Sequence, residues 1–346
     1  MSWIAGAESR GQEVNVDWHL VAFSRDNSEW IDDFLSSIDK PEQHSISLDQ
    51  SISTFSIKQV SKLASMLVAA SFPTPMSEPV TDAFNSLFAI GQDDIVFQRV
   101  RQLNLELPLS SDGAEDSIVP DLSVAHFPAL ESLNLGFTAI RNRQFGINVV
   151  PGIWASITTL RLECCYDAYW NIIAKCVPNL RILRFNFTHL TLDLALMAKY
   201  MPQLENLEVG EGCDVDFLHN EDSKSAQLLN LYSFEVDKSE SVNSYLSLDE
   251  FEFIVHNAPN LQSVKFAHGW FEGSTLDELN GAVNASVRNL FVSFYGALIE
   301  NDDFDAMISV FPNLAKLELD QDPLSEELFS SLRERYPSIN IRHVTL

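Results

Sequence analysis

VPNLRILRF, residues 177–185, sets a Pro two positions before Leu180, five before Leu183 and seven before Phe185. Pro cannot continue a helix and drives its predecessor toward extended geometry, so the chain is expected to turn at Pro178. Beyond the turn, Leu183 and Phe185 alternate with Arg184, the period-2 pattern of a strand with one buried face. Nine residues thus encode a helix end, a turn and a half-buried strand.

The same pattern returns in FPALESLNL (127–135), MPQLENLEV (201–209), APNLQSVKF (258–266) and FPNLAKLEL (311–319). Four copies without the Pro surround Leu103, Leu160, Phe234 and Leu290. The anchors are then Leu103, Leu133, Leu160, Leu183, Leu207, Phe234, Val264, Leu290 and Leu317. They span 214 residues in eight steps, about 27 per step, which lies within the period of leucine-rich repeats. Upstream, Pro41 precedes Ile46 and Leu48 at the same offsets, and a strand over 16–23 would place Leu20 one step before Ile46. A further degenerate strand is expected within PTPMSEPV (73–80).

Apolar residues spaced i, i+3, i+4, i+7 fill the intervals and predict helices with one apolar stripe. The sets are Ile31/Phe34/Leu35/Ile38, Val60/Leu63/Ala64/Leu67, Tyr169/Ile172/Ile173/Cys176, Leu194/Met197/Ala198/Met201, Phe251/Ile254/Val255/Ala258 and Phe304/Met307/Ile308/Phe311. Asp167, Thr191, Ser247, Asn301 and Ser325 stand where an N-cap oxygen would accept from the first turn. Strand, helix and Pro turn in alternation predict an α/β fold. Its expected form is a right-handed solenoid or horseshoe, with a parallel sheet on the concave face and helices on the convex face. Residues 1–95 are expected to be degenerate or capping repeats, and 96–346 regular repeats of the same continuous solenoid.

With its preceding Cys, CVPNLRILRF (176–185) resembles the C-P-x-L-x-x-L-x-L run of the F-box family of leucine-rich-repeat substrate adaptors. The resemblance implies a repeat scaffold that recognises another protein for a ubiquitin ligase. It also implies an Asn, Cys or Thr ladder after each strand, a place held here by Thr138, Cys165 and Thr188 but not by Gly212, Gly269 or Tyr295. Residues 1–45 show no Leu-Pro-initiated F-box pattern.

Composition limits the function classes. The chain holds 22 Lys and Arg against 49 Asp and Glu, a net charge of −27, which disfavours nucleic acid and anionic membranes as partners. A hydrophobic fraction of 46% with 23 Phe supplies a large core. No run approaches the length of a membrane span, no secretory signal pattern opens the chain, and four Cys make no disulfide framework. A reducing compartment, cytoplasm or nucleus, is the expectation.

The 13 Gly form no phosphate-binding loop, and neither G-x-S-x-G nor H-E-x-x-H occurs. Adjacent Cys164 and Cys165 lack the C-x-x-C spacing of a zinc site, and the eight His pair with no group at catalytic spacing. Two sequons, at Asn186 and Asn284, read as chance matches. No catalytic residue, metal site or cofactor is expected.

The informative surface is the concave one, because side chains between buried strand positions must point outward. Arg161, Arg184, Glu208, Glu235, Lys265, Phe291 and Glu318 form one outward column. A second contains Glu163, Asp237 and Asp320 with other acids and no base, a negative stripe suited to a basic protein partner. Trp270, Phe271 and Tyr295 would add an aromatic patch nearby. The expected function is a non-enzymatic protein-binding scaffold. The alternatives are an enzyme on a solenoid frame and a self-assembling structural protein, with the oligomeric state open.

Overall fold

A computed structural model describes residues 16–20, 33, 44–48, 66–72, 96–108, 127–138, 153–165, 167–210, 212–218, 222, 225–237, 252–267, 281–293, 301–320 and 326–344. The chain divides into two compact units, Met1–Thr158 and Thr159–Leu346.

The first unit contains β1 (Val16–Leu20), β2 (His44–Leu48), β3 (Leu67–Phe72), β4 (Gln102–Pro108) and β5 (Ser132–Thr138), each parallel to the next. Leu103 lies opposite Leu133, as their shared spacing predicts. Leu20, however, pairs with Leu48, and Trp18 with Ile46, two residues from the expected register. The degenerate strand is Leu67–Phe72, ahead of the Pro-rich stretch, and takes in Leu67, which periodicity assigns to a helix stripe. LVAASF is a short apolar run ended by Pro73, the form of a buried strand. The predicted stripe at 31–38, residues 60–64 and residues 73–80 lie outside the described residues, Asp33 excepted.

The second unit begins with β6 (Thr159–Glu163), α1 (Asp167–Ile173), β7 (Ile182–Asn186), β8 (His189–Leu192) and α2 (Leu194–Tyr200). It continues through β9 (Asn206–Val209), β10 (Asp214–Phe217), β11 (Ser233–Asp237), a π-helical turn at Phe253–Asn257, β12 (Ser263–Ala267) and β13 (Asn289–Ser293). It ends with α3 (Asn301–Val310), β14 (Lys316–Asp320), α4 (Glu326–Arg335) and β15 (Asn340–His343).

β6, β7, β9, β11, β12, β13, β14 and β15 form a parallel sheet in that order. β8 and β10 pair in a smaller parallel ribbon. The anchors run straight across the larger sheet: Leu160 opposite Leu183, then Leu207, Phe234, Val264, Leu290, Leu317 and Ile341. All eight are at most 2% exposed. Burying a side chain of this size stabilises by about 1.5–3 kcal/mol, so the column is the axis of the core.

Helical connections cover the same face. The Trp170 ring of α1 meets Phe185 edge-on at 5.2 Å, and Phe253 of the π-helical turn tilts against Phe234 at 5.0 Å. In α2, Asp193 rather than Thr191 is the N-cap, its carboxylate accepting from the Ala195 and Leu196 N–H groups. Thr191 belongs to β8, where its own N–H donates to Asp167 Oδ1 at 2.7 Å.

Five strands of this unit, β9 and β11 to β14, are entered the same way. The Arg181 carbonyl accepts from both Glu205 and Asn206 N–H, and the pattern recurs from Glu205, Tyr232, Gln262 and Arg288. Pairing two donors of one unit with one carbonyl of the preceding unit fixes the register at the strand's start.

Candidate functional site

With the anchors buried on one face, alternate residues emerge on the other. The first outward column of the second unit is Arg161, Arg184, Glu208, Glu235, Lys265, Phe291, Glu318 and Arg342, each opposite the next in the hydrogen-bonded ladder. It contains every column residue expected from the sequence and adds Arg342. β15 departs from the repeat because Pro337 stands four positions before Ile341 instead of five.

The charges of this face are interlocked. Arg161 Nε meets Glu163 Oε1 at 2.9 Å, Arg184 Nε meets Glu208 Oε2 at 2.7 Å, and Lys316 Nζ meets Glu318 Oε1 at 2.8 Å. Lys265 pairs with Glu235 while its ammonium lies 5.7 Å from the centre of the half-buried Phe291 ring. Asn186, with its amide turned to satisfy its neighbours, accepts from Arg161 Nε at 2.8 Å. These side chains remain a quarter to a half exposed, and such pairs contribute about 0–1 kcal/mol each.

The strands' outward positions carry five bases (Arg161, Arg184, Lys265, Lys316, Arg342) and six acids (Glu163, Glu208, Glu235, Asp237, Glu318, Asp320), a balance of −1 where the chain carries −27. The second column is interrupted rather than continuous, since Gly210, Ala267 and Ser293 are buried. Glu163, Asp237 and Asp320 are its acidic members in this unit, and Asp320 accepts from the Ser293 hydroxyl at 3.2 Å. Trp270, Phe271 and Tyr295 lie outside the described residues.

Two side-chain ladders flank the face. At the strand entrances, Asn230, Asn260 and Asn313 donate through Nδ2 to the carbonyls of Pro202, Leu229 and Ala285, at 2.8–2.9 Å. Just upstream, Asn257 and Asn284 reach the Ala226 and Ala258 carbonyls. For Asn260 and Asn313 the P-N-L triplets at 259 and 312 carried this signal, which the reading of Pro and Leu alone passes over.

At the exits, Cys164, Phe187 and Gly212 all have positive φ, turning the next residue inward. That residue is Cys165, Thr188 or Cys213, all buried. Cys213, not Gly212, therefore holds the ladder place after β9, six residues beyond Leu207 where Cys165 and Thr188 stand five beyond Leu160 and Leu183. The Thr188 hydroxyl donates to Cys213 Sγ at 3.4 Å.

Burial pushes the Cys176 thiol up to about 11 and also raises that of Cys213, against an opposing hydrogen bond from Thr188. Cys164 is raised by burial, then by Glu163 and Cys213. These thiols stay protonated at neutral pH, the form least suited to nucleophilic attack or metal ligation.

Among the described residues, no helix is long and apolar enough to cross a membrane, and no group of three or more His, Cys, Asp or Glu is placed to hold a metal. The chain matches no protein-family model, and no curated protein is detectably similar to it in sequence.

Proposed function

We propose that this chain is a right-handed leucine-rich-repeat solenoid acting as a non-enzymatic scaffold that holds another protein on the exposed, concave face of its sheet. Its resemblance to the F-box family of adaptors makes substrate recognition for a ubiquitin ligase, in the cytoplasm or nucleus, the specific form of the proposal. The observation that carries this reading is the outward column itself: seven charged side chains and Phe291, from Arg161 to Arg342, held in register across eight strands and each at least partly exposed. Arg and aromatic residues are enriched at interfaces, and Asn206, Ser233, Ser263 and Asn289 beside them can hydrogen-bond a partner.

Electrostatics divides into two ranges. The net charge of −27 attracts a partner with a basic surface from a distance. On contact, the nearly balanced column fixes orientation rather than adding bulk attraction.

The test is a photo-crosslinking amino acid introduced at Phe291 or Glu318 on the open face, and at Ser309 on α3 as the control. The scaffold predicts covalent capture of one recurring protein from the open-face positions alone. Equal capture from Ser309, or none from Phe291 and Glu318 in a folded chain, contradicts it.

A further inference from the structure

Within the open face, charge order across strands is unusual: Arg161 lies opposite Arg184, and Glu208 opposite Glu235, with the two like-charged pairs side by side. Like charges directly opposite each other in a sheet destabilise it, and an alternating order of the same four residues would avoid both contacts. The blocked order leaves a dipole across the strands that alternation would cancel. The exposed pairs that partly offset it, Arg161 with Glu163, Arg184 with Glu208 and Lys265 with Glu235, are of the weak, screened kind.

We infer that this block reads the charge order of an α-helix laid across β6, β7, β9 and β11, presenting two acids and then two bases on successive turns of one face. The inference rests on the scaffold proposed above and names the element the scaffold would hold.

Spacing favours a helix. Strands are about 4.8 Å apart and one helical turn rises about 5.4 Å, a mismatch near 0.6 Å per step and about 2 Å over three steps. Arg and Glu side chains absorb that. An extended segment crossing the same strands repeats its facing residue every ~6.7 Å, and falls about 6 Å out of step over the same distance. Lys265, the next member of the column, adds a further base opposite Glu235 and would favour a third acid on the following turn.

The experiment measures binding of the full chain to two stapled helical peptides of identical composition. One carries Glu, Glu, Lys, Lys on successive turns, and the other Glu, Lys, Glu, Lys. The blocked peptide is expected to bind about tenfold tighter at low salt, with the ratio falling toward one as salt screens the charges. The double substitution Arg184→Glu with Glu208→Arg keeps net charge but makes the column alternate, and it should reverse the preference.

Arg184→Gln with Glu208→Gln should flatten the preference, and serves if the swapped chain does not fold. Equal binding of both peptides to the native chain, no binding of either, or the same preference after the swap overturns the inference. Crosslinking through Phe291 would still judge the scaffold by itself.

Discussion

Where the chain enters the strands of the second unit, Asn230, Asn260 and Asn313 repeat one side-chain hydrogen bond, and paired backbone donors repeat beneath it. Where the chain leaves, the repeat loosens: β8 and β10 form a ribbon of their own, and the buried residue after β9 comes one place later than those after β6 and β7. Both ends belong to the same strands, yet among the described residues the entrance bonds recur in one spacing while the exit after β9 is a residue longer. Register is therefore set at the entrance. The outward column depends on the entrances, while the exits can vary in length without shifting which residue faces solvent.

The largest disturbance should come from the buried axis that both ends serve. Phe234 is fully buried against Phe253 and Phe266, so Phe234→Ala should lose about 3–5 kcal/mol in urea unfolding. A loss under about 1 kcal/mol would mean the anchor column is not the core.

At the entrances, Asn284 is 3% exposed and joins the Ala258 carbonyl to the Ser286 N–H. Asn284→Ala strands both groups and should cost about 1–3 kcal/mol. The exposed Asn260→Ala should cost less, about 0.5–1.5 kcal/mol. If the two cost the same in chemical denaturation, burial does not set the strength of the entrance ladder.

Exit substitutions should be milder. Gly212 has φ +64°, and a Cβ there would stand 2.5 Å from the Phe187 ring, whose exposed edge can yield. Gly212→Ala should cost about 1–2 kcal/mol, mostly from the left-handed backbone. The smallest effect is that of Thr188→Val, about 0.5 kcal/mol, since a thiol is a weak acceptor. Losing that hydrogen bond raises the Cys213 thiol further and should slow its alkylation at fixed pH. Faster alkylation at unchanged stability would show that Thr188 shields Cys213 rather than stabilising its thiolate.

The same contrast explains what could be read from residues alone. Every anchor from Leu160 to Leu317 lies in one register, because a Pro turn and period-2 alternation are local and strong signals. β15 escaped through its shortened Pro spacing. The ribbon of β8 and β10 escaped because HLTL and DVDF alternate over only four residues.

The outward column was legible from alternation. Its ion pairs were not, since they depend on which neighbour stands across the ladder. The acidic column is broken by the burial of Gly210, Ala267 and Ser293, which period 2 does not encode.

The central claim, that function resides on the open face the entrances align, is tested most directly by comparing two triple variants for binding to the protein captured through Phe291. Arg184→Ala, Glu235→Ala and Lys265→Ala together remove charges of the face. Asp305→Ala, Glu326→Ala and Arg335→Ala together remove charges from α3 and α4. The account predicts that the first set weakens binding at least about tenfold with little change in melting temperature, and that the second leaves it intact. Loss of binding in the second set with retention in the first would contradict it.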